Sequence, residues 1–159
     1  MGFALSDMRL TSDAFAQGEA IPKKHTGEGE DVAPGLSWSG APTDVRSFAV
    51  VCHDPDAPLV TGNGNYGFVH WVLSYIPGDV TRLEEGGSGY TAGVNDFGNI
   101  GYGGRMPPDG HGEHNYYFWV LALADDSPLE EGLTLWELLA KIEPHLLGMN
   151  RLVGRYERK

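Results

Sequence analysis

Two carboxylates, those of Asp54 and Asp56, stand on a short segment that two prolines stiffen. The segment His53-Asp54-Pro55-Asp56-Ala57-Pro58 follows an apolar run, and each proline fixes its own φ and biases the residue before it towards extended geometry. A carboxylate held in this way can orient a histidine and favour its protonated form. The alternative interpretation is a rigid turn in which the Asp side chains cap local amides.

Two histidines and a tyrosine are further candidates for binding a ligand. His70 lies inside one apolar run, whereas His114 and Tyr116 open another. In a strand, His114 and Tyr116 point to one side, where both can donate a hydrogen bond to an anion. A weaker alternative is a metal site formed by His111, His114, His70 and Asp54, and a third is that His70 is a satisfied core histidine.

A glycine-rich segment precedes the second histidine, with the sequence Gly101-Tyr102-Gly103-Gly104-Arg105-Met106-Pro107-Pro108-Asp109-Gly110. Glycines let the backbone approach a ligand closely, and their amides can form an anion-binding nest. The pair Pro107-Pro108 would stiffen the wall of such a site. The segment matches no known phosphate-loop pattern, because it has neither the lysine of the P-loop nor a GxGxxG that opens a helix.

Two other features of the sequence are better explained by structure than by chemistry. Cys52 lies in an apolar run beside His53, but adjacent strand residues point to opposite faces, so His53 is a poor base for the thiol. Cys52 is therefore predicted to be a small core residue. Asp96-Phe97-Gly98 spells a kinase motif, yet the chain has 159 residues and lacks the other kinase segments, so an aromatic turn is predicted.

Four strands are predicted to position these residues. They cover residues 47–52, 68–76, 116–124 and 152–158, and the first two are bounded by turns rich in glycine and proline. A strict period of two in the second strand would place His70 on one face with Val72 and Ser74, opposite Trp71. The third strand is apolar without alternation, which is typical of a strand covered on both faces.

One helix is signalled by the capping box Thr134-Leu135-Trp136-Glu137. Leu133 and Leu138 are spaced for a hydrophobic staple, and the leucines that follow keep to one helical face. Pro144 should end or kink the helix. Several strands and one late helix predict a mainly β, β-rich α+β domain that spans residues 1–159, and the order of elements disfavours a Rossmann fold.

The composition of the chain argues against several classes of protein. The formal net charge is −11, which argues against a nucleic-acid binder and against docking on an anionic membrane. A single cysteine excludes an intramolecular disulfide and a thiolate zinc cluster. We found no secretory signal and no apolar run of the ~18–20 residues that a membrane-spanning helix needs, so a cytoplasmic location is predicted.

These motifs, taken together and in this order, resemble the phosphatidylethanolamine-binding protein family, which includes the Raf kinase inhibitor protein. The bacterial and archaeal branch is the closer match, over residues 10–158. The resemblance rests on Leu36-Ser37-Trp38-Ser39-Gly40, Asp54-Pro55-Asp56-Ala57-Pro58, His70-Trp71 with Ile76-Pro77, Gly101-Tyr102-Gly103-Gly104, Pro107-Pro108, His114-Asn115-Tyr116 and Leu152-Val153-Gly154-Arg155-Tyr156. Asn115 stands where the family usually has Arg, and Arg105-Met106 also departs from the usual pair.

The resemblance implies a β-sandwich-like fold with peripheral helices, in which a C-terminal helix is followed by a short strand. It also implies a small anion-binding pocket at one end of the sheet and a cis peptide within residues 54–58. Transferred by motif, the ligand-binding residues are Asp54, Asp56, His70, Pro107, Pro108, His114 and Tyr116. No catalytic residue, metal ligand or cofactor is predicted.

The leading functional hypothesis is non-enzymatic binding of a small anionic or phosphorylated ligand, such as phosphate or a phospholipid head group. The first alternative is a regulator that inhibits a protein kinase or protease, possible partners of the chain. A hydrolase that uses His70, His114 and an Asp is the lesser alternative, because no nucleophile is identifiable in the sequence. By resemblance alone, a homodimer is expected.

Overall fold

The computed structural model describes residues 6–56, 67–87, 89–104 and 112–157. The predictions for Pro107, Pro108, His111 and Arg105 lie outside these residues. The strands are β1 (Arg9–Thr11), β2 (Leu36–Ser39), β3 (Ser47–Asp54), β4 (Phe68–Pro77), β5 (Arg82–Leu83), β6 (Thr91–Ala92), β7 (Glu113–Leu123) and β8 (Leu146–Glu157). The helix α1 (Leu135–Ile142) is flanked by the 3-10 turn Glu143–His145, and a second 3-10 turn is formed by Lys23–His25.

The described strands form two antiparallel sheets. The smaller sheet has the order β1-β2-β5, and the larger has the order β6-β4-β3-β7-β8. One apolar core lies between the sheets and includes Trp38, Phe48 and Phe118, whereas a second core lies between the larger sheet and α1. The β-rich sandwich with a peripheral helix is thus confirmed. No helix among the described residues is both long and apolar enough to span a bilayer.

Both faces of β3 and β7 are covered, one by the smaller sheet and the other by α1, as the unbroken apolar sequence of the third predicted strand suggested. Along β7, Phe118 and Val120 enter the core between the sheets, whereas Leu121 and Leu123 pack towards α1. β7 begins three residues before the predicted start, at Glu113, because its first residues pair with the end of β8. The added residues at the start of β7 include His114, one of the candidate ligand-binding residues.

A β-bulge in β4 changes the orientation of His70. Cys52 of β3 pairs with Trp71 and His53 pairs with Val69, so His70 has no register partner on β3. Trp71 packs in the core between the sheets, and Val69 and Val72 both pack on the α1 side. The predicted strict alternation is therefore wrong at this point, because an extra residue in a bulge shifts the faces of a strand.

The helix forms as its sequence predicts. Thr134 Oγ1 accepts a hydrogen bond from the Glu137 amide, and the Glu137 carboxylate accepts one from the Thr134 amide. Leu133 and Leu138 are both buried in the core under α1. α1 ends at Ile142, and Pro144 lies within the 3-10 turn that follows.

The last strand is longer than predicted. β8 has twelve residues and pairs with β7 along nearly its whole length. It is an edge strand, and residues from the first part of the chain cover its outer edge. The amides of Ser6, Gly18 and Ile21 donate to carbonyls of β8, and the Arg155 amide donates back to the Glu19 carbonyl.

Candidate functional site

Asp54, His70, His114 and Tyr116 come together at one edge of the larger sheet, and we call them the strand-end cluster. β3 runs antiparallel to both β4 and β7, so the end of β3 lies beside the beginnings of its two neighbours. All four side chains are buried, with exposed fractions from 0 to 3%. The structure therefore brings together the titratable residues that the sequence selected from three separate segments.

Asp54 and His114 form the central contact of the strand-end cluster. The distance from His114 Nδ1 to Asp54 Oδ2 is 2.7 Å, and both side chains are buried. Because a carboxylate only accepts hydrogen bonds, His114 Nδ1 carries a proton and donates it. A ligand on this histidine would therefore meet Nε2.

The orientation of His70 is fixed in the same way by a backbone carbonyl. His70 Nδ1 lies 2.7 Å from the Gly103 carbonyl oxygen and donates to it, and the Gly103 amide donates to the His70 carbonyl at 2.9 Å. The His70 ring also packs edge-on against Tyr116, with 4.9 Å between the ring centroids. The glycine segment thus holds one histidine of the cluster through two hydrogen bonds.

The glycines of this segment allow close approach of the backbone, as predicted. A Cβ atom at Gly103 would lie 2.7 Å from the Phe97 ring, and one at Gly104 would lie 2.2 Å from the His25 carbonyl oxygen. Asp31 accepts a hydrogen bond from the Gly104 amide, which secures the end of the described segment. Any side chain at these two positions would push the segment away from His70.

Two further residues, Tyr102 and Asn95, hold the same segment. Tyr102 belongs to the glycine-rich motif noted in the sequence, whereas Asn95 belongs to no such motif. The Tyr102 hydroxyl donates to the His25 carbonyl at 2.6 Å, and its ring packs edge-on against Trp71. Asn95 is buried and binds the loop that contains Phe97 through its side-chain oxygen and nitrogen. The role of Tyr102 depends on contact with a residue 77 positions away, whereas Asn95 acts within its own loop, as far as Gly101.

In the turn after β3, the carboxylates of Asp54 and Asp56 both orient other side chains and cap backbone amides, so both interpretations of this segment apply. Asp54 Oδ1 accepts a hydrogen bond from the Asp56 amide, which is a local turn contact. Asp56 is exposed, and its Oδ2 accepts from the Asn115 amide at 2.7 Å and from the Asn115 side chain at 3.0 Å. Asn115 therefore braces this turn against β7, and the binding of ligand by Asp56 stays a prediction.

The expected cis peptide is not found in the part of this turn that the structure describes. The described residues contain no cis peptide bond, so the Asp54–Pro55 bond is trans. The bond between Ala57 and Pro58 lies outside the described residues. The turn nevertheless has a fixed shape, because Asp54 and Asp56 each hold it from one side.

Burial and charge make Cys52 unsuitable as a nucleophile. Burial raises the pKa of the Cys52 thiol well above its usual range, and the negative charge of Asp54 raises it further. The thiolate needed for nucleophilic attack is thus disfavoured. Among the described residues, no group of three or more His, Cys, Asp or Glu side chains is arranged to hold a metal ion.

Comparisons with known proteins agree with the fold and with the motifs. The model of a family described as phosphatidylethanolamine-binding protein matches residues 11–157. A UPF0098 protein of Aquifex aeolicus is 38% identical over 158 residues, covering 95% of this chain and 89% of the relative.

Two solved structures are similar over nearly the whole chain. A phosphatidylethanolamine-binding protein homologue of Chlamydia trachomatis, CT736, has a TM-score of 0.86 and 36% identity, covering 96% of this chain and 98% of that one. Escherichia coli YbcL, described as a member of the mammalian PEBP family, also has a TM-score of 0.86, with 31% identity and coverage of 97% and 100%.

Proposed function

Because the chain belongs to the phosphatidylethanolamine-binding protein family, we propose that it binds a small anionic or phosphorylated group at the strand-end cluster, without catalysing a reaction. The buried contact between Asp54 and His114 is the observation that best supports this proposal. A buried carboxylate is costly unless it is paired, and here the pairing orients an imidazole at the end of the sheet. Such an arrangement is well suited to presenting a positive donor to an anion.

The proposed donors are two imidazoles and one phenol. In their protonated forms, His114 and His70 would each donate from Nε2 to a ligand oxygen, since each Nδ1 faces a protein acceptor. The Tyr116 hydroxyl can add a third donor, as its ring packs against His70. Hydrogen bonds between charged donors and phosphate oxygens are about twice as strong as neutral ones.

The surroundings favour a compact ligand head group. Phe68 packs against the His70 ring at 5.0 Å, and Phe97 packs against Phe68 at 4.8 Å. These aromatic rings form an apolar side next to the polar cluster. A phosphate with a short organic substituent would place its charge on the histidines and its substituent towards the rings.

Titration with inorganic phosphate and with phosphoethanolamine tests the proposal. Binding is measured by calorimetry and by NMR shifts of the histidine rings, on the wild type, on His114→Ala and on His145→Ala. His145 is the matched control, because its side chain is 45% exposed and lies in the 3-10 turn after α1. Far-UV circular dichroism checks that each variant is folded.

We expect saturable binding to the wild type and to His145→Ala, and its loss in His114→Ala. No binding to the folded wild type at millimolar ligand would contradict the proposal. Equal binding by His114→Ala and the wild type would do the same, because the anion would then lie elsewhere.

A phosphorylated protein segment is the second candidate ligand, and the exposure of Phe97 favours it. This ring is 49% exposed although it is large and apolar, and it lies beside the strand-end cluster. A protein partner would cover it, as a regulator of a kinase or protease requires. Tighter binding of a phosphopeptide than of free phosphate, with the difference lost in Phe97→Ala, would support this candidate.

A further inference from the structure

A pocket lies on the α1 side of the larger sheet, on the face opposite the core between the sheets. Its volume is about 370 Å³. Val51, Trp119 and Met149 of the sheet form its floor, whereas Trp136 and Leu139 of α1 form one wall. This volume falls within the range of pockets that take small organic ligands, which is roughly 300–1,000 Å³.

The pocket exists because α1 is short. Eight helical residues span about 12 Å, whereas the eleven residues of β7 extend over about 37 Å, so the helix covers only part of the sheet. Trp136, in the first turn of α1, remains 44% exposed. Trp119 and Met149 are only partly buried at the edge of the core under α1. The part of the sheet that α1 does not cover is therefore an accessible, concave and apolar surface.

Polar groups are found at the two ends of the pocket. His53 lies at one end, where its ring faces Trp136 edge-on at 6.3 Å between centroids. At the other end is Glu143, which follows the last residue of α1 and is, among the described residues, the only Asp, Glu, Lys or Arg in the lining. The C-terminus of a helix carries partial negative charge, which adds to that of the carboxylate.

Two basic side chains near the pocket, Lys141 and Arg151, do not neutralise the negative charge at Glu143. Lys141 of α1 does not line the pocket, and its ammonium group lies 3.6 Å from the Glu130 carboxylate. Arg151 places its guanidinium 5.4 Å from the centroid of the Trp119 ring and 5.5 Å from that of Tyr117. Arg151 pairs with Trp119 in register, two residues along β8 from the Met149 position and thus further from the Glu143 end.

We propose that this pocket binds a small apolar amine, with its ammonium group at Glu143 and its hydrocarbon part between Trp119 and Leu139. The apolar lining provides the affinity for the hydrocarbon, and the Glu143 carboxylate provides the preference for a cation. The proposal is independent of the anion site. Tyr116 of the strand-end cluster packs in the core between the sheets, whereas the pocket lies on the opposite face of the larger sheet.

Tryptophan fluorescence and calorimetry with n-octylamine test this proposal, since Trp119 and Trp136 both line the pocket. Octan-1-ol and octanoate are the matched probes, because they keep the hydrocarbon and replace the ammonium group with a neutral or a negative one. The variants are Glu143→Gln, which removes the charge, and Leu139→Trp, which fills the pocket. Glu157→Gln, on an exposed residue at the end of β8, is the control. Circular dichroism verifies that each variant is folded.

We expect the amine to bind saturably at one site and about two- to fivefold more tightly than the alcohol, as for an exposed ion pair. Glu143→Gln should abolish this preference and retain binding of the alcohol, and Leu139→Trp should abolish binding of both. Glu157→Gln should behave as the wild type.

Three results would overturn the proposal. The first is binding of octanoate as tight as that of the amine, which would make the site unselective for charge. The second is the absence of saturable binding of the amine. The third is a stable dimer in sedimentation that Leu139→Trp dissociates, because a second copy of the chain would then be the occupant of the pocket.

Discussion

Removing Asp54 should destabilise the protein far more than removing an exposed carboxylate. Asp54→Ala leaves the His114 Nδ1–H buried without the acceptor that lies 2.7 Å away in the wild type. It also removes the oxygen that accepts from the Asp56 amide at 2.9 Å. Breaking a buried ion pair by deleting one partner costs about 3–5 kcal/mol, and we expect a loss in this range. Since a domain is stabilised by only about 5–15 kcal/mol, the loss is a large share of the total.

Urea unfolding followed by far-UV circular dichroism measures this loss. Asp126→Ala is the control, because Asp126 contacts Arg46 at 3.3 Å with both side chains more than half exposed. Its removal should change the free energy of unfolding by less than about 1 kcal/mol. A double-mutant cycle with His114→Ala then isolates the interaction between Asp54 and His114, for which we expect a coupling of about 1–3 kcal/mol.

Two results would refute this reasoning. If Asp54→Ala costs no more than Asp126→Ala, the buried carboxylate does not stabilise the fold. If the coupling with His114 is within error of zero, the cost arises from the turn and not from the histidine. In either case, the contact could not be the element that orients His114 for a ligand.

Three further predictions concern other parts of the structure. Gly104→Ala should lower the midpoint of urea unfolding and weaken phosphate binding, because the added Cβ would meet the His25 carbonyl oxygen at 2.2 Å; an unchanged midpoint would show that the segment can move freely. Cys52 should resist iodoacetamide at pH 8 until the protein unfolds, since burial raises the pKa of its thiol; rapid labelling of the native protein would contradict this. Hydrogen bonds from Thr134 lower the pKa of Glu137 below its ordinary value of 4.5. The stability that this carboxylate contributes is therefore present above pH 4.5 and is lost as the pH falls through the folded-state pKa. The difference in urea midpoint between the wild type and Glu137→Ala should therefore be constant above pH 4.5 and shrink below it.

The sequence predicted those elements whose signals are local. The capping box fixed the start of α1 at the residues that form it, and the apolar runs located β3, β4 and β7. The convergence of Asp54, His70 and His114 followed from motifs at strand ends and from the family resemblance. For α1 and these strands, the information lies within a few residues of the feature, whereas the convergence of the three side chains rested on the resemblance.

The features that the sequence did not predict depend on pairing between distant segments. The bulge at His70 exists because of the register that β3 imposes on β4, and a period of two within one strand cannot reveal it. The first half of β8 contains Gly148 and Asn150, which are poor strand formers, yet it is a strand because β7 pairs with it. The role of Asp31 was also not predictable from local sequence, because Asp31 accepts a hydrogen bond from Gly104, which is 73 positions away in the chain.

The cover over the edge of β8 has a consequence for the order of folding during synthesis. Ser6 contacts Met149, and Glu19 contacts Arg155, so the earliest described segment closes against the last strand. A ribosome releases the N-terminal segment long before β8, and that segment has no strand edge to bind until β8 has been synthesised. Contacts of such sequence separation form slowly, because a long loop must close first. The covering of this edge of the larger sheet is therefore expected to be a late folding step that follows the synthesis of β8.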